Sequence, residues 1–249
     1  MKIVLLGHSH IVALKQAYLK APPTFRQKHS FQFIPIGHKK YQGTFINEKK
    51  PIDQQSIETL KIHLANADAI CLSLLGDAHT QLGLVNNPQP FDFILDNHDD
   101  TVGNSRAQFI PKSLIAKTMK ISTKLFINYA ETLIGLASHA KPFIQIESPP
   151  PIASEEHIYA HPVGFEKKIT TLGISPRQLR RKLYLLHGEI IQEYCKKLGI
   201  EYLPSPVASK DTQGYLKEKY WATDPSHANA EYGSLVLDDV SRKCREFAA

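Results

Sequence analysis

Residues 1–10 read MKIVLLGHSH. An apolar run, Ile3 to Leu6, stops at Gly7 and meets three polar side chains, His8, Ser9 and His10. A run this short and this apolar reads as a fully buried strand. Residues 10–20 then repeat Ile11, Leu14, Ala17 and Tyr18 on one helical face, and Pro22-Pro23 ends that pattern. Gly7-His8-Ser9 is therefore a turn from strand to helix. Three readings of it stand open. Ser9 is a nucleophile at a helix N-terminus; His8 and His10 are metal ligands; or Ser9 caps the helix and does nothing more.

The same alternation continues along the chain. Apolar runs at 31–36, 68–75, 142–147 and 200–203 read as further strands, with Pro35 marking a strand end or an edge. Helical patterns lie between them. Ser56 opens one through Asn66, Pro111 opens one to about Ala140, and Ser175-Pro176 opens one that Gly199 stops. A last helix covers about 229 to 247. This order predicts α/β architecture: one open parallel sheet of five strands with helices on both faces. The whole chain, 1–249, reads as a single domain with two long loops, at about 76–110 and 148–175. Sites in such sheets lie at the carboxyl ends of the strands. The loops after the first, third and fifth strands carry the polar clusters.

Composition narrows the function classes. Hydrophobic residues make up 42% and charged ones 22%, so the chain is globular. The net charge of +6 comes without a long basic run interleaved with aromatics, which argues against nucleic acid as a partner. No apolar stretch approaches a membrane span, and Gly-His-Ser-His interrupts the N-terminal run too soon for a signal peptide. The three cysteines, Cys71, Cys195 and Cys244, are widely spaced and odd in number. A soluble, cytoplasmic protein without disulfides is the expectation.

A serine hydroxyl attacks only when a base takes its proton. The late stretch Asp224-Pro-Ser-His227 offers one. On a tight turn the side chains of residues i and i+3 approach each other. Asp224 then receives the Nδ1–H of His227, which leaves Nε2 to accept the proton of Ser9. Trp221, just ahead, is a candidate pocket wall.

These residues carry a family resemblance. Gly7-His8-Ser9 after the first strand, Asp224-Pro-Ser-His227 before the last helix, and Ser148-Pro-Pro-Pro after the fourth strand resemble the SGNH (GDSL-type) hydrolase superfamily. His8 stands where that family has Asp. The resemblance implies a three-layer, flavodoxin-like α/β/α sandwich with strand order 2-1-3-4-5. It implies a serine esterase that needs no cofactor, with Ser9, His227 and Asp224 as its triad, acting on a small ester such as an acylated carbohydrate. Transfer of the acyl group to another hydroxyl stays open, because excluding water is a matter of pocket shape. It further implies three oxyanion donors: the Ser9 N–H, a Gly N–H after strand two (Gly37 or Gly43), and an Asn side chain in a Gly-x-Asn motif after strand three. Here the chain departs from the pattern, because Gly76-Asp77-Ala78-His79 stands there. One alignment puts Ala78 at the Asn position and the other puts Asp77. His79 and Gln81 are the nearest replacement donors.

Two other functions compete. His8-x-His10, Gly76-Asp77-x-His79 and Asn97-His98-Asp99 have the order of metallophosphoesterase motifs, which would make the protein a metal-dependent phosphoesterase. That reading leaves Asp224 and His227 without a role. The third is a non-catalytic, SGNH-like binding protein.

Overall fold

The computed structural model describes residues 1–36, 54–74, 76–95, 107–137 and 142–248. Five parallel strands form the main sheet: β1 (Lys2–Gly7), β2 (Ser30–Pro35), β3 (Ala69–Ser73), β6 (Phe143–Ile146) and β7 (Glu201–Leu203). Two further two-residue strands, β4 (Phe91–Asp92) and β5 (Gln108–Phe109), pair with each other in a separate ribbon. The order across the main sheet is 2-1-3-6-7, where 2-1-3-4-5 was expected. The two short strands, inside a stretch read from sequence as loop, account for the difference. Two residues are too few to show a period.

β1 lies between β2 and β3, in register from Lys2 with Ser30 and from Ile3 with Ala69. Helices cover both faces of the sheet at this central strand, and Ile3 to Leu6 are completely buried. Alternate residues feed two cores. Ile3 and Leu5 pack on one face with α1 (Ile11–Lys20) and α9 (Ala230–Ala248). Val4 and Leu6 pack on the other with α3 (Gln54–Ala65), α5 (Lys112–Leu136) and α8 (Arg177–Leu198).

The long stretches between strands are not plain loops. The first holds α4 (Ala78–Gly83) as well as β4 and β5. The second holds α6 (Glu155–Ala160) and α7 (Glu166–Leu172). A short α2 (Pro23–Lys28) follows α1, so Pro23 opens a helix as well as closing one. The buried Arg180 on α8 fixes the second stretch by donating to the carbonyls of Ser175, Ile152 and Ala153.

Two glycines set the spacing around the strand-one turn. A Cβ on Gly7 would lie 2.4 Å from Ile11 Cγ2 and 2.6 Å from the Ser73 carbonyl. Only glycine lets the strand end pass that closely under the helix. A Cβ on Gly233, in α9, would lie 2.4 Å from the Ala13 carbonyl of α1. The two helices therefore cross almost backbone to backbone. α1 begins just after Ser9 and α9 just after His227, so this crossing brings the two residues together.

Candidate active site

Ser9 sits in the turn between β1 and α1, exposed to solvent. Its hydroxyl does not cap the helix, since His10 holds the N-cap position and makes no side-chain cap. It lies 2.7 Å from Nε2 of His227. The other ring nitrogen, Nδ1, lies 2.9 Å from Oδ1 of Asp224. The directions follow from chemistry. An ionised carboxylate only accepts, so Nδ1–H donates to it; Nε2 of the neutral ring is then an acceptor, and the Ser9 O–H donates to Nε2.

The loop that presents the pair is internally braced. Asp224 Oδ1 also accepts from the backbone N–H groups of Ser226, at 2.9 Å, and His227, at 2.7 Å. Asn229 closes the base of the loop. Its Nδ2 donates to the carbonyls of Lys219 and Trp221, while its Oδ1 accepts from the N–H groups of Glu231 and Tyr232 in the first turn of α9. His157, on α6, puts Nε2 3.3 Å from the Asp224 carbonyl oxygen and lays its ring 4.8 Å from that of Trp221. Trp221 Nε1–H donates to the Leu216 carbonyl, which fixes the indole.

The electrostatics favour an ionised Asp224 and a neutral His10. Partial burial pushes the Asp224 carboxyl up. Hydrogen bonds from the His227 ring, from the Ser226 N–H and from the His227 N–H, together with the imidazole charge, outweigh it and bring it down to about 2. His10 packs its ring 4.8 Å from that of His227. Burial, and then the neighbouring His227, pull His10 down to about 3. It is a neutral wall against the base.

A cleft of about 460 Å³ opens beside the hydroxyl, lined by Ser9, Val12, Gln16, Trp221, Thr223 and His227. Trp221 is thus a wall of the same cleft. The Ser9 N–H has no hydrogen-bond partner among the described residues.

The loop after β3 is built differently. Gly76 packs under β6: Ser148 donates to its carbonyl at 2.8 Å, and a Cβ there would sit 2.2 Å from Ser148 Oγ. Ala78 is buried and its side chain carries no donor. His79 turns inward, 5.4 Å from the Tyr184 ring and 5.3 Å from that of His187, and burial holds it well below its ordinary value. It does not replace the Asn. Gln81 leans back to Asp77, at 3.5 Å, and Asp77 is exposed. His8 stacks 6.0 Å from Tyr129. Burial lowers its pKa, and the charge of Asp77 works against that shift.

Gly37 and Gly43 lie outside the described residues, as do Asn97, His98 and Asp99 of the metal reading. Among the described residues, no three His, Cys, Asp or Glu side chains gather as metal ligands do. No helix among them is long and apolar enough to cross a membrane. Sequence reasoning missed His157 and Asn229. His157 lies in a stretch read as loop, and its partner is 67 residues away. Asn229 had a visible signal, since Asn directly before a helical pattern is a favoured cap.

The periplasmic domain of a lipopolysaccharide acetyltransferase from Salmonella ser. Paratyphi A superposes on 97% of this chain and 82% of its own, with a TM-score of 0.51 and 12% identity. The fold is that of the acetyltransferase domain. A GDSL-like lipase from Bacteroides thetaiotaomicron covers 98% of this chain and 88% of its own, with a TM-score of 0.44 and 12% identity. An aryl esterase from M. smegmatis covers 98% of each chain, with a TM-score of 0.44 and 12% identity. No family model and no curated protein matches the sequence.

Proposed function

We propose that the protein is a serine-dependent acyl hydrolase, with Ser9 as nucleophile, His227 as general base and acid, and Asp224 as the residue that orients the imidazole. The observation that carries this reading is the hydrogen-bonded series from Ser9 through His227 to Asp224 at the edge of an open cleft. A cap, a surface histidine and a turn aspartate have no reason to meet at these distances.

In the proposed reaction, Ser9 Oγ attacks the ester carbonyl while its proton passes to His227 Nε2. The new C–O bond pushes the carbonyl electron pair onto oxygen, and the Ser9 N–H faces that oxyanion. The intermediate collapses, and the imidazolium returns the proton to the departing alkoxide. The acyl group is left on Ser9. Water then repeats the steps and releases the acid. If a second hydroxyl replaces water, the product is a new ester, so an acyltransferase uses the same residues.

The loop after β3 bears on the rate. Removing one oxyanion donor costs about 10²–10³ in turnover. A hydrolase with Ala78 or Asp77 in place of Asn is accordingly slow on simple esters. The cleft volume suits a small acyl group or one sugar ring beside Trp221, so a small or carbohydrate ester is the proposed substrate. The test is Ser9→Ala on p-nitrophenyl acetate, with fluorophosphonate labelling of the unmodified protein. Loss of at least about 10³ in kcat/KM, together with labelling at Ser9, supports the mechanism. Hydrolysis that survives the substitution overturns it. A folded protein that neither hydrolyses nor labels favours the binding-protein reading instead.

A further inference from the structure

A second hollow, of about 480 Å³, lies at the opposite end of the sheet. It opens between α2 and the second half of α9, near the start of β2, where Ser30 pairs with Lys2. None of the residues around Ser9 contributes to it.

Its charges are arranged unevenly. Arg242 is engaged by Asp239 at 2.6 Å and faces Glu246 at 3.6 Å, so those groups largely satisfy one another. Lys28 and Arg245 also line the hollow, and neither has a carboxylate partner among the described residues. Asp238 is the opposing charge on the α9 side.

Two neutral donors stand beside these cations. Arg245 Nη1 lies 3.5 Å from His29 Nε2. A guanidinium only donates, so Nε2 accepts and the proton of the neutral ring rests on Nδ1. His29 is 7% exposed, and its Nδ1 is buried without a hydrogen-bond partner. Ser241 is 2% exposed, and its Oγ is likewise buried without one. Buried polar groups in native proteins are overwhelmingly paired. Two unsatisfied hydrogen-bonding groups next to two unpaired cations form a donor set for an anion. The Phe25 ring, 5.1 Å from that of His29, supplies an apolar wall.

We propose that this hollow binds a small phosphate-bearing molecule, at a site separate from the ester cleft. Lys28 and Arg245 take the phosphate charge, with the His29 Nδ1–H and the Ser241 hydroxyl donating to its oxygens. The space is larger than a bare phosphate needs. Asp238 repels the anion but accepts from hydroxyl groups, so it selects a polyol body. A glycerol phosphate has this chemistry, whether free or as the headgroup of a phospholipid.

The site should favour the phosphate dianion. Burial comes first among the causes that hold His29 below its ordinary value. The cations facing it, Arg245, the Met1 amino group and Lys28, add to that, and Asp238 opposes them. The neutral ring keeps Nε2 as acceptor from Arg245 and Nδ1–H as donor to the phosphate, whereas a phosphate monoester loses its second charge at about pH 6, so binding weakens as pH falls from 7.5 to 6.

The experiment is calorimetric titration of the full chain with glycerol 3-phosphate, inorganic phosphate and glycerol, at fixed ionic strength and at pH 6 and 7.5. Glycerol 3-phosphate should bind, more tightly at pH 7.5, and glycerol should not. Lys28→Ala and Arg245→Gln are surface changes, and each should weaken binding about tenfold or more, as loss of a charge-assisted hydrogen bond implies. Both variants should keep the ester hydrolysis of the parent, which separates this site from the one at Ser9. Sedimentation with phosphatidylcholine vesicles containing phosphatidic acid distinguishes the source. Variant-sensitive vesicle binding points to a lipid headgroup, and binding of the soluble ester alone points to a metabolite. No binding of the phosphates, or the same affinity in both variants as in the parent, overturns the proposal.

Discussion

The two sides of the cleft at Ser9 are built to different standards. On the side of Ser9 the side chains are chained together: the hydroxyl to Nε2, Nδ1 to the carboxylate, and the carboxylate to two backbone N–H groups as well. On the side of Gly76 to His79 the chain offers a methyl group, an inward-facing imidazole and an exposed carboxylate. Under the proposed mechanism one side handles a proton, and the other has to stabilise a negative charge. The two tasks then fall to separate loops. The first needs only α1 and α9 to cross closely, as Gly233 against Ala13 allows. The second depends on the loops after β2 and β3, and those can diverge without disturbing the first.

The contrast is most vulnerable on its ordered side. Asp224→Asn replaces an acceptor with a group that can donate, so it favours the wrong imidazole tautomer. The expected loss in kcat is about 10³–10⁴ with little change in KM; steady-state kinetics on p-nitrophenyl acetate checks it, and a small loss would show that the carboxylate does not orient His227. The poorly furnished side can be improved. Asp77→Asn removes a charge that repels an oxyanion and supplies a neutral donor, so turnover should rise by about 10-fold or more, up to the 10² that one donor contributes. An unchanged kcat would place Asp77 away from the reacting carbonyl.

Acid stability extends the same contrast. His10 is neutral in the fold down to about pH 3, whereas in the unfolded chain it protonates near 6.5. The unfolded state therefore binds the extra proton, and stability falls as pH drops below 6.5, by at most about 1.4 kcal/mol per pH unit for this one group. His8 and His79, both lowered by burial, act in the same direction. Asp224 works in a lower window: its depressed carboxyl stabilises the fold above about pH 4 and loses that effect as pH falls towards 2. Urea midpoints measured against pH should show a shallower decline from 6.5 to 4 in His10→Phe, with the limb below pH 4 kept. The smallest effect is at His157. His157→Phe keeps a ring against Trp221 but loses the bond to the Asp224 carbonyl, and it should lower kcat several-fold with KM nearly unchanged. His157→Gln should restore part of it. Trp221 is the single tryptophan, so its fluorescence reports whether either change moves the cleft wall.

Much of the fold was legible because its signals are local. Ile3 to Leu6 form an unbroken apolar run since β1 is buried on both faces, and the helices announce themselves through their period and their proline and glycine ends. β4, β5, α2, α4, α6 and α7 were not legible. Each spans two to seven residues, too few to display a period. In the site, Ser9 and the Asp224–His227 pair could be singled out from the turn residues around them. Their meeting was expected from the complementary chemistry of the groups and the family resemblance, not from any local signal, because the hydroxyl and the imidazole are 218 residues apart.

Residue identity alone marked the groups with the right chemistry, since hydroxyl, imidazole and carboxylate belong to the residue wherever it stands. Local periodicity placed them at strand ends. Which hydrogen bonds they make was left to the packing of the folded chain. That packing gave the Ser9 hydroxyl to His227 instead of the helix end, turned His79 into the interior, brought His157 to the Asp224 carbonyl, and gathered Lys28, His29 and Arg245 at the far end of the sheet. The physical reason is range. Side-chain chemistry and backbone preference act over a few residues, whereas a hydrogen bond needs atoms within about 3 Å, and only the packing of helices across the sheet fixes separations that small between distant parts of the chain.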